Sequence, residues 1–182
     1  MYQEQIKNEL DKKSVIIFEI GLEEFAIELS TIKEIVRSGQ IRKLPKSLDF
    51  IDGIYNYRGE IIHILNLEKV LNLHENYLYK SKLALSKVKT KRKKKYIIIL
   101  DIAGVFIGFF ADRIVSIAHV NAENIVGLSP IFQTSVGMEN IKGIIKFKDR
   151  PRILLDLSNL LNEIDYISIK KEEIKMQKKR VD

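Results

Sequence analysis

Two apolar segments, residues 51–56 and 61–65, flank a polar break at Arg58-Gly59, and a short helical pattern over 67–71 follows them. That order predicts a β-hairpin closed by a helical turn. Gly59 suits a turn position of positive φ. Arg58 stands at the hairpin tip with its guanidinium free to point outward, and a planar five-donor fork matches a carboxylate well. Asn66 is placed to cap the helix.

The unit occurs twice. Moved by 90 positions, Ile51, Gly53 and Ile54 fall on Ile141, Gly143 and Ile144, and Leu65, Leu67, Leu71 and Asn72 fall on Leu155, Leu157, Leu161 and Asn162. Earlier in the chain the offset is 82: residues 15–20 lie over 97–102, and Ile32 and Ile35 over Ile114 and Ile117. Offsets held across several apolar positions and a glycine indicate an internal duplication, roughly 15–72 and 97–162, with 8 extra residues inside the second copy.

Strands are predicted at 14–20, 25–29, 32–37 and 41–43 ahead of the Arg58 hairpin, and at 96–102, 105–111, 114–120, 141–147 and 152–156 in the second copy. Residues 121–139 read as loop, and Asp156 repeats the capping place of Asn66 before a helical turn at 157–161. Each copy then holds about five short strands, and a sheet that small loses its exposed edges by closing into a barrel. The expected organisation is a lead-in at 1–13, a first barrel at 14–72, a linker at 73–95, a second barrel at 96–163 and a charged tail at 164–182. Either barrel alone would be marginal. Packing the two together leaves a groove along their pseudo-twofold junction.

Composition changes this picture in one place. The chain of 182 residues carries a formal charge of +7, but nine Lys or Arg and no acid lie between Lys80 and Lys95. Taking those nine from +7 leaves −2, so the basic signal belongs to the linker between the copies. That linker suits a solvated insertion, an acidic partner or membrane surface, or a nucleic-acid contact. Only Tyr96 flanks its lysine cluster, so no interleaved set of aromatics is present for base stacking. The chain has no cysteine, which excludes disulfides and thiolate chemistry and suits a reducing cytoplasm. The first six residues are polar and mixed in charge, unlike a secretory signal, and the longest apolar run, 96–111, contains Asp101 and the Gly104 turn.

Candidate chemistry is sparse. His63, His74 and His119 share no ligand spacing, and His63 reads as a half-buried strand residue. The segment 127–131 lacks the second glycine of a nucleophile elbow, and Gly104 and Gly108 suit a turn and close packing. No catalytic residue, metal site or cofactor site is expected.

Taken in order, these segments resemble the CheW-like coupling proteins of bacterial chemotaxis, over about residues 14 to 163. The first copy carries Phe18-Glu19-Ile20-Gly21, Phe25-Ala26-Ile27, Ile32-Lys33-Glu34-Ile35, Leu44-Pro45, Ile51-Asp52-Gly53-Ile54 and the N-x-R-G motif as Asn56-Tyr57-Arg58-Gly59. The second carries Gly108-Phe109-Phe110-Ala111-Asp112-Arg113-Ile114, Ile141-Lys142-Gly143-Ile144 and Ile153-Leu154-Leu155-Asp156-Leu157. The resemblance implies a mainly β fold of two SH3-like five-stranded barrels related by internal duplication, with short helices. It also implies a non-enzymatic cytoplasmic adaptor, monomeric alone, that joins the histidine kinase CheA, through a regulatory domain of the same fold, to the cytoplasmic tips of chemoreceptors. No nucleic acid and no membrane insertion are implied; binding through the basic loop 80–95 to nucleic acid or an acidic partner is the alternative reading. By position, Arg58 and Glu34 form an ion pair beside the partner surfaces, and Ile32, Ile35, Gly53 and Gly108 line them. Tyr57 stands where the family usually has leucine, adding a hydroxyl beside Arg58, and Asn66 stands where it usually has an acid.

Overall fold

The predicted hairpins form where the apolar pattern places them. The computed structural model describes residues 12–21, 23–43, 49–73, 95–128 and 138–159. Its strands are β1 (Lys12–Ile20), β2 (Glu23–Glu28), β3 (Ile32–Arg37), β4 (Ile51–Tyr57), β5 (Glu60–Leu65), β6 (Tyr96–Ile102), β7 (Val105–Ala111), β8 (Arg113–Asn121), β9 (Ile125–Val126), β10 (Ile141–Ile145) and β11 (Arg152–Leu155). A short α-helix, α1 (Leu67–Val70), follows β5, and Ser158 and Asn159 begin a second helical stretch where a helical turn was expected at 157–161. Asn66 caps it as expected, its side chain accepting from the Lys69 amide at 3.1 Å. Two local readings change. Residues 41–43 form a single bridge, Arg42 to Ile54, and the stretch read as loop contains β9. The basic loop, apart from Lys95, His74 and the tail lie outside the described residues.

The fold class is the expected one, two SH3-like barrels related by duplication, but the barrels do not follow the chain halves. One sheet has the order β8-β1-β2-β11-β10-β9 and the other β3-β6-β7-β5-β4. Residues 14–72 and 96–163 therefore do not each close on themselves. Each barrel takes one hairpin from one copy and its remaining strands from the other. The exchange is reciprocal: replacing every strand by its duplicate converts β8-β1-β2-β11-β10 into β3-β6-β7-β5-β4. Parallel pairings, β11 with β2 and β5 with β7, stitch the borrowed hairpins in.

The exchange explains why the central strands read as continuous apolar runs rather than alternations, since both their faces are buried. On β6, Ile97 and Ile99 face the interior of the second sheet's barrel, with Tyr57, Ile62 and Ile64. Ile98 and Leu100 face the other way, into a core shared by both sheets. On β1, Val15 joins Ala26, Val120, Ile145 and Leu154 inside the first barrel, while Ile16 and Phe18 enter the shared core. There the rings of Phe18 and Phe109, one from each sheet, lie 5.2 Å apart. Among the described residues, the shared core holds sixteen buried side chains and each barrel interior five, so most of their apolar burial lies between the barrels. At about 1.5–3 kcal/mol for each large side chain buried, the junction carries most of the apolar stabilisation of the described core.

A charge network ties the first sheet together. Arg152 is buried, and its guanidinium takes Glu24 at 2.9 Å and both oxygens of Asp149, with the Phe147 ring 4.7 Å away. Arg150 and Arg113 also reach Glu24, and Arg113 bonds Glu19. Three acids face three arginines, so the cluster is neutral. Arg152→Leu is expected to destabilise by about 1–3 kcal/mol, less than the ~3–5 kcal/mol for orphaning a buried charge, because Glu24 keeps two cations. A urea melt checks this; an unchanged midpoint would show that the network contributes nothing.

Candidate functional site

The Arg58 hairpin closes the second barrel. β3 and β4 are the two edges of their sheet, and three contacts bring them together. Arg42, beyond the end of β3, exchanges two backbone hydrogen bonds of 2.9 Å with Ile54 on β4. The Tyr57 hydroxyl donates to Glu34 Oε2 at 2.6 Å, and Arg58 Nη2 donates to the same oxygen at 2.7 Å. Glu34, in mid-β3, thus receives both side chains from the end of β4.

The turn that presents Arg58 is strained. Arg58 has φ 54° and Gly59 φ 93°, positive at both central residues as a two-residue hairpin of the right twist requires. Glycine adopts this freely, whereas an L-residue with a Cβ loses about 1–2 kcal/mol. Asn56 Oδ1 accepts from the Gly59 amide and helps to hold the turn. The arginine is 72% exposed, its guanidinium 5.3 Å from the Tyr57 ring centre. Nη2 is engaged with Glu34, and the remaining donors of the fork are available to a partner carboxylate.

Tyr57 is the buried base of the site. Its ring packs among Ile62, Ile64, Ile97 and Ile99 and meets Phe106 edge-on at 6.1 Å. Lys33 lies over the far ring, 5.3 Å from its centre. Hydrogen bonding to the Glu34 carboxylate, with burial in support, raises the Tyr57 pKa above its usual value, so the hydroxyl stays a donor.

The other expected residues act less directly. Ile32 and Ile35 share β3 with Glu34 but are half-buried and pack on the shared core. Gly53 and Gly108 are buried; a Cβ at Gly53 would stand 2.5 Å from the Arg42 carbonyl oxygen, and one at Gly108 2.9 Å from Ile64 Cδ1. Sequence reading missed the roles of Arg42, Lys33 and Phe106, which reach the site only through strand pairing. His63 is half-buried, as expected, and the His119 ring meets the Ser14 hydroxyl at 2.9 Å. No group of His, Asp or Glu among the described residues is arranged to hold a metal ion, and no described helix is long and apolar enough to cross a membrane.

Acid behaviour follows from three carboxylates. Burial pushes Glu28 up, but Lys13 at 2.8 Å and Lys142 at 3.0 Å outweigh it and bring it below its usual 4.5. Burial likewise opposes the Ser158 hydroxyl and amide, which bring Asp156 below its usual 3.8. Arg152 holds Asp149 far below the carboxylate range. Each pKa is depressed in the folded state, so the stability they contribute is present above the unfolded values and lost as pH falls through the folded ones. The melting temperature is expected to be level from about pH 7 to 5 and to drop below about pH 4.5, more shallowly in Glu28→Gln; equal melts at pH 7 and 3 would refute it.

Comparison with known proteins places this geometry in context. The family model described as "CheW-like domain" matches residues 14–165. A chemotaxis protein CheW of Thermotoga maritima is 28% identical over 155 residues, covering 85% of this chain and 91% of its own. A chemotaxis protein CheW of Treponema pallidum is 29% identical over 151 residues, 81% of each. Among solved structures, the scaffolding protein TtCheW of Thermoanaerobacter tengcongensis superposes with a TM-score of 0.64 at 26% identity, covering 80% of this chain and 84% of that one.

Proposed function

The chain belongs to the CheW-like family, and on that premise we propose that it is a non-enzymatic chemotaxis adaptor coupling the histidine kinase CheA to the cytoplasmic tips of transmembrane chemoreceptors. The observation that carries the reading to residues is the Arg58 tip. A strained turn, a carboxylate and a buried tyrosine hold one guanidinium at the closing seam of a barrel, with donors left over. An adaptor needs such a rigid, exposed, charged contact and no chemistry at it.

In this reading Glu34, Tyr57 and Arg58 present the charged contact to the receptor or kinase. Ile32 and Ile35 set the position of β3, and Gly53 and Gly108 allow the close approaches that shape the barrel. The kinase contributes a regulatory domain of the same fold, and the receptor's helical hairpin lies along the groove between barrels. The protein is cytoplasmic, monomeric alone and recruited to receptor arrays. The comparisons favour this reading and lend no support to the nucleic-acid alternative.

The test is co-sedimentation of the purified protein with CheA and receptor-containing membranes, with kinase activity measured in the pellet. Kinase should enter the pellet and be activated only when this protein is present. A folded protein that neither partner follows would show that the barrels serve another purpose.

A further inference from the structure

Neither barrel can be completed from one copy of the repeat. The first copy supplies β1 to β5 and the second β6 to β11. Among the described strands, four pairings cross from one copy to the other: β1 with β8, β2 with β11, β3 with β6, and β5 with β7. Of the sixteen described residues buried in the shared core, nine belong to the first copy and seven to the second. Polar ties follow the same division. Arg113 donates to Glu19 at 2.8 Å, Arg152 to Glu24 at 2.9 Å, and the Gly21 amide to Asp112 at 2.8 Å. A copy by itself leaves strand edges unpaired and its share of that core in water, so it closes only around a complementary copy.

The chain passes from the first copy to the second once, between Leu73 and Lys95. Nothing else in the exchange requires both copies to belong to one chain. Strand registers, core contacts and ion pairs are the same whichever chain supplies the complement. The two arrangements therefore differ in connection and not in contacts, the condition under which identical elements exchange between protomers at low cost.

We propose that a second copy of this chain is a partner for the shared-core surface, and that two chains exchange complementary copies to form an intertwined dimer. Joining complementary parts in one chain gives each an effective concentration of the other on the order of mM. Dilute protein is therefore monomeric, and exchange occurs where chains fold together near that concentration. In the dimer each tip keeps Glu34, Tyr57 and Arg58 from one chain. Phe106, which meets the Tyr57 ring edge-on at 6.1 Å, then comes from β7 of the other chain. The dimer carries two complete tips and is bivalent without any new contact surface.

The experiment uses full-length chains and needs neither kinase nor receptor, so its outcome is independent of the adaptor reading. The natural chain has no cysteine, which leaves engineered thiols without competitors. Ser14 on β1 and His119 on β8 are directly opposed, one in each copy, with side-chain atoms 2.9 Å apart, and opposed positions on antiparallel strands are within reach of a disulfide. Ser14→Cys and His119→Cys, on separate chains, are unfolded, mixed, refolded together and treated with a mild oxidant. Only the exchanged dimer sets the two thiols face to face. A crosslinked dimer is expected in roughly a tenth or more of the chains after refolding near ~1 mM, and at least about tenfold less near ~10 µM. Lys12→Cys with Asn121→Cys, opposed on the same strand pair, serves if either first variant misfolds. Ile102→Cys with Val105→Cys, opposed within one copy, reports random collision. Only monomer by size-exclusion chromatography after refolding near ~1 mM, or crosslinking no greater than in that control, would overturn the proposal.

Discussion

Arg58→Glu is expected to leave the protein folded and to abolish its assembly with CheA and receptor membranes. Stability changes little because the residue is 72% exposed and its pair with Glu34 is solvent-screened. Pairs of this kind contribute about 0–1 kcal/mol, so the melting temperature of a chain this size should move by only about 2–4 °C. Tyr57 still donates to Glu34, and the Arg42–Ile54 bonds still close the barrel. Binding changes greatly because reversal removes the guanidinium and sets a new carboxylate beside Glu34. Losing a central arginine anchor costs about 2 kcal/mol or more, roughly thirtyfold in affinity, and like-charge contact adds to that. Co-sedimentation beside a thermal melt reads both quantities. Normal pelleting of kinase with the folded variant would remove Arg58 from the interface.

Gly53→Val is expected to do the opposite, destabilising the fold by about 3 kcal/mol or more and losing assembly only as a consequence. Gly53 has φ 154° at a bulge in β4, and a Cβ there would lie 2.5 Å from the Arg42 carbonyl oxygen and 3.3 Å from Lys43 Cα. Both obstacles are backbone, held by the Arg42–Ile54 pairing, and cannot rotate aside. Gly143, its duplicate, meets the Val126 carbonyl oxygen at 2.7 Å in the same way, so Gly143→Val should fail comparably. Gly108→Ala should be milder, since the nearest atoms are the ends of the Ile64 and Ile97 side chains rather than backbone. Denaturant melts rank the three, and a Gly53→Val protein as stable as wild type would show that β4 can move away from Arg42.

Much of the site was legible in the residues. The hairpin around Arg58-Gly59, the cap at Asn66 and the duplication all follow from local chemistry: turn preference, side-chain acceptors and apolar period. The partnership of Glu34 with Arg58 came from family resemblance, because residues 24 positions apart carry no local sign that they meet. The buried role of Tyr57 was not legible for the same reason: whether its hydroxyl faces solvent or a carboxylate depends on which strand closes the barrel. The Glu24–Arg152 contact spans 128 positions and had no sequence signal at all.

By itself, then, the sequence determined the strands, their turns and the fact that one pattern is used twice, because those depend on neighbours within a few residues. Which strands pair was decided only in three dimensions. Both copies carry nearly the same two-faced apolar hairpins, so β1–β2 could satisfy its backbone bonds with either copy's remaining strands, and local preference does not discriminate. The choice rests with the shared core, where sixteen of the described residues, drawn from both sheets and the turn of helix that follows β5, are buried together. Exchanging hairpins buries both faces of β1 and β6 at once. That burial also brings Glu34 to Tyr57 and Arg58.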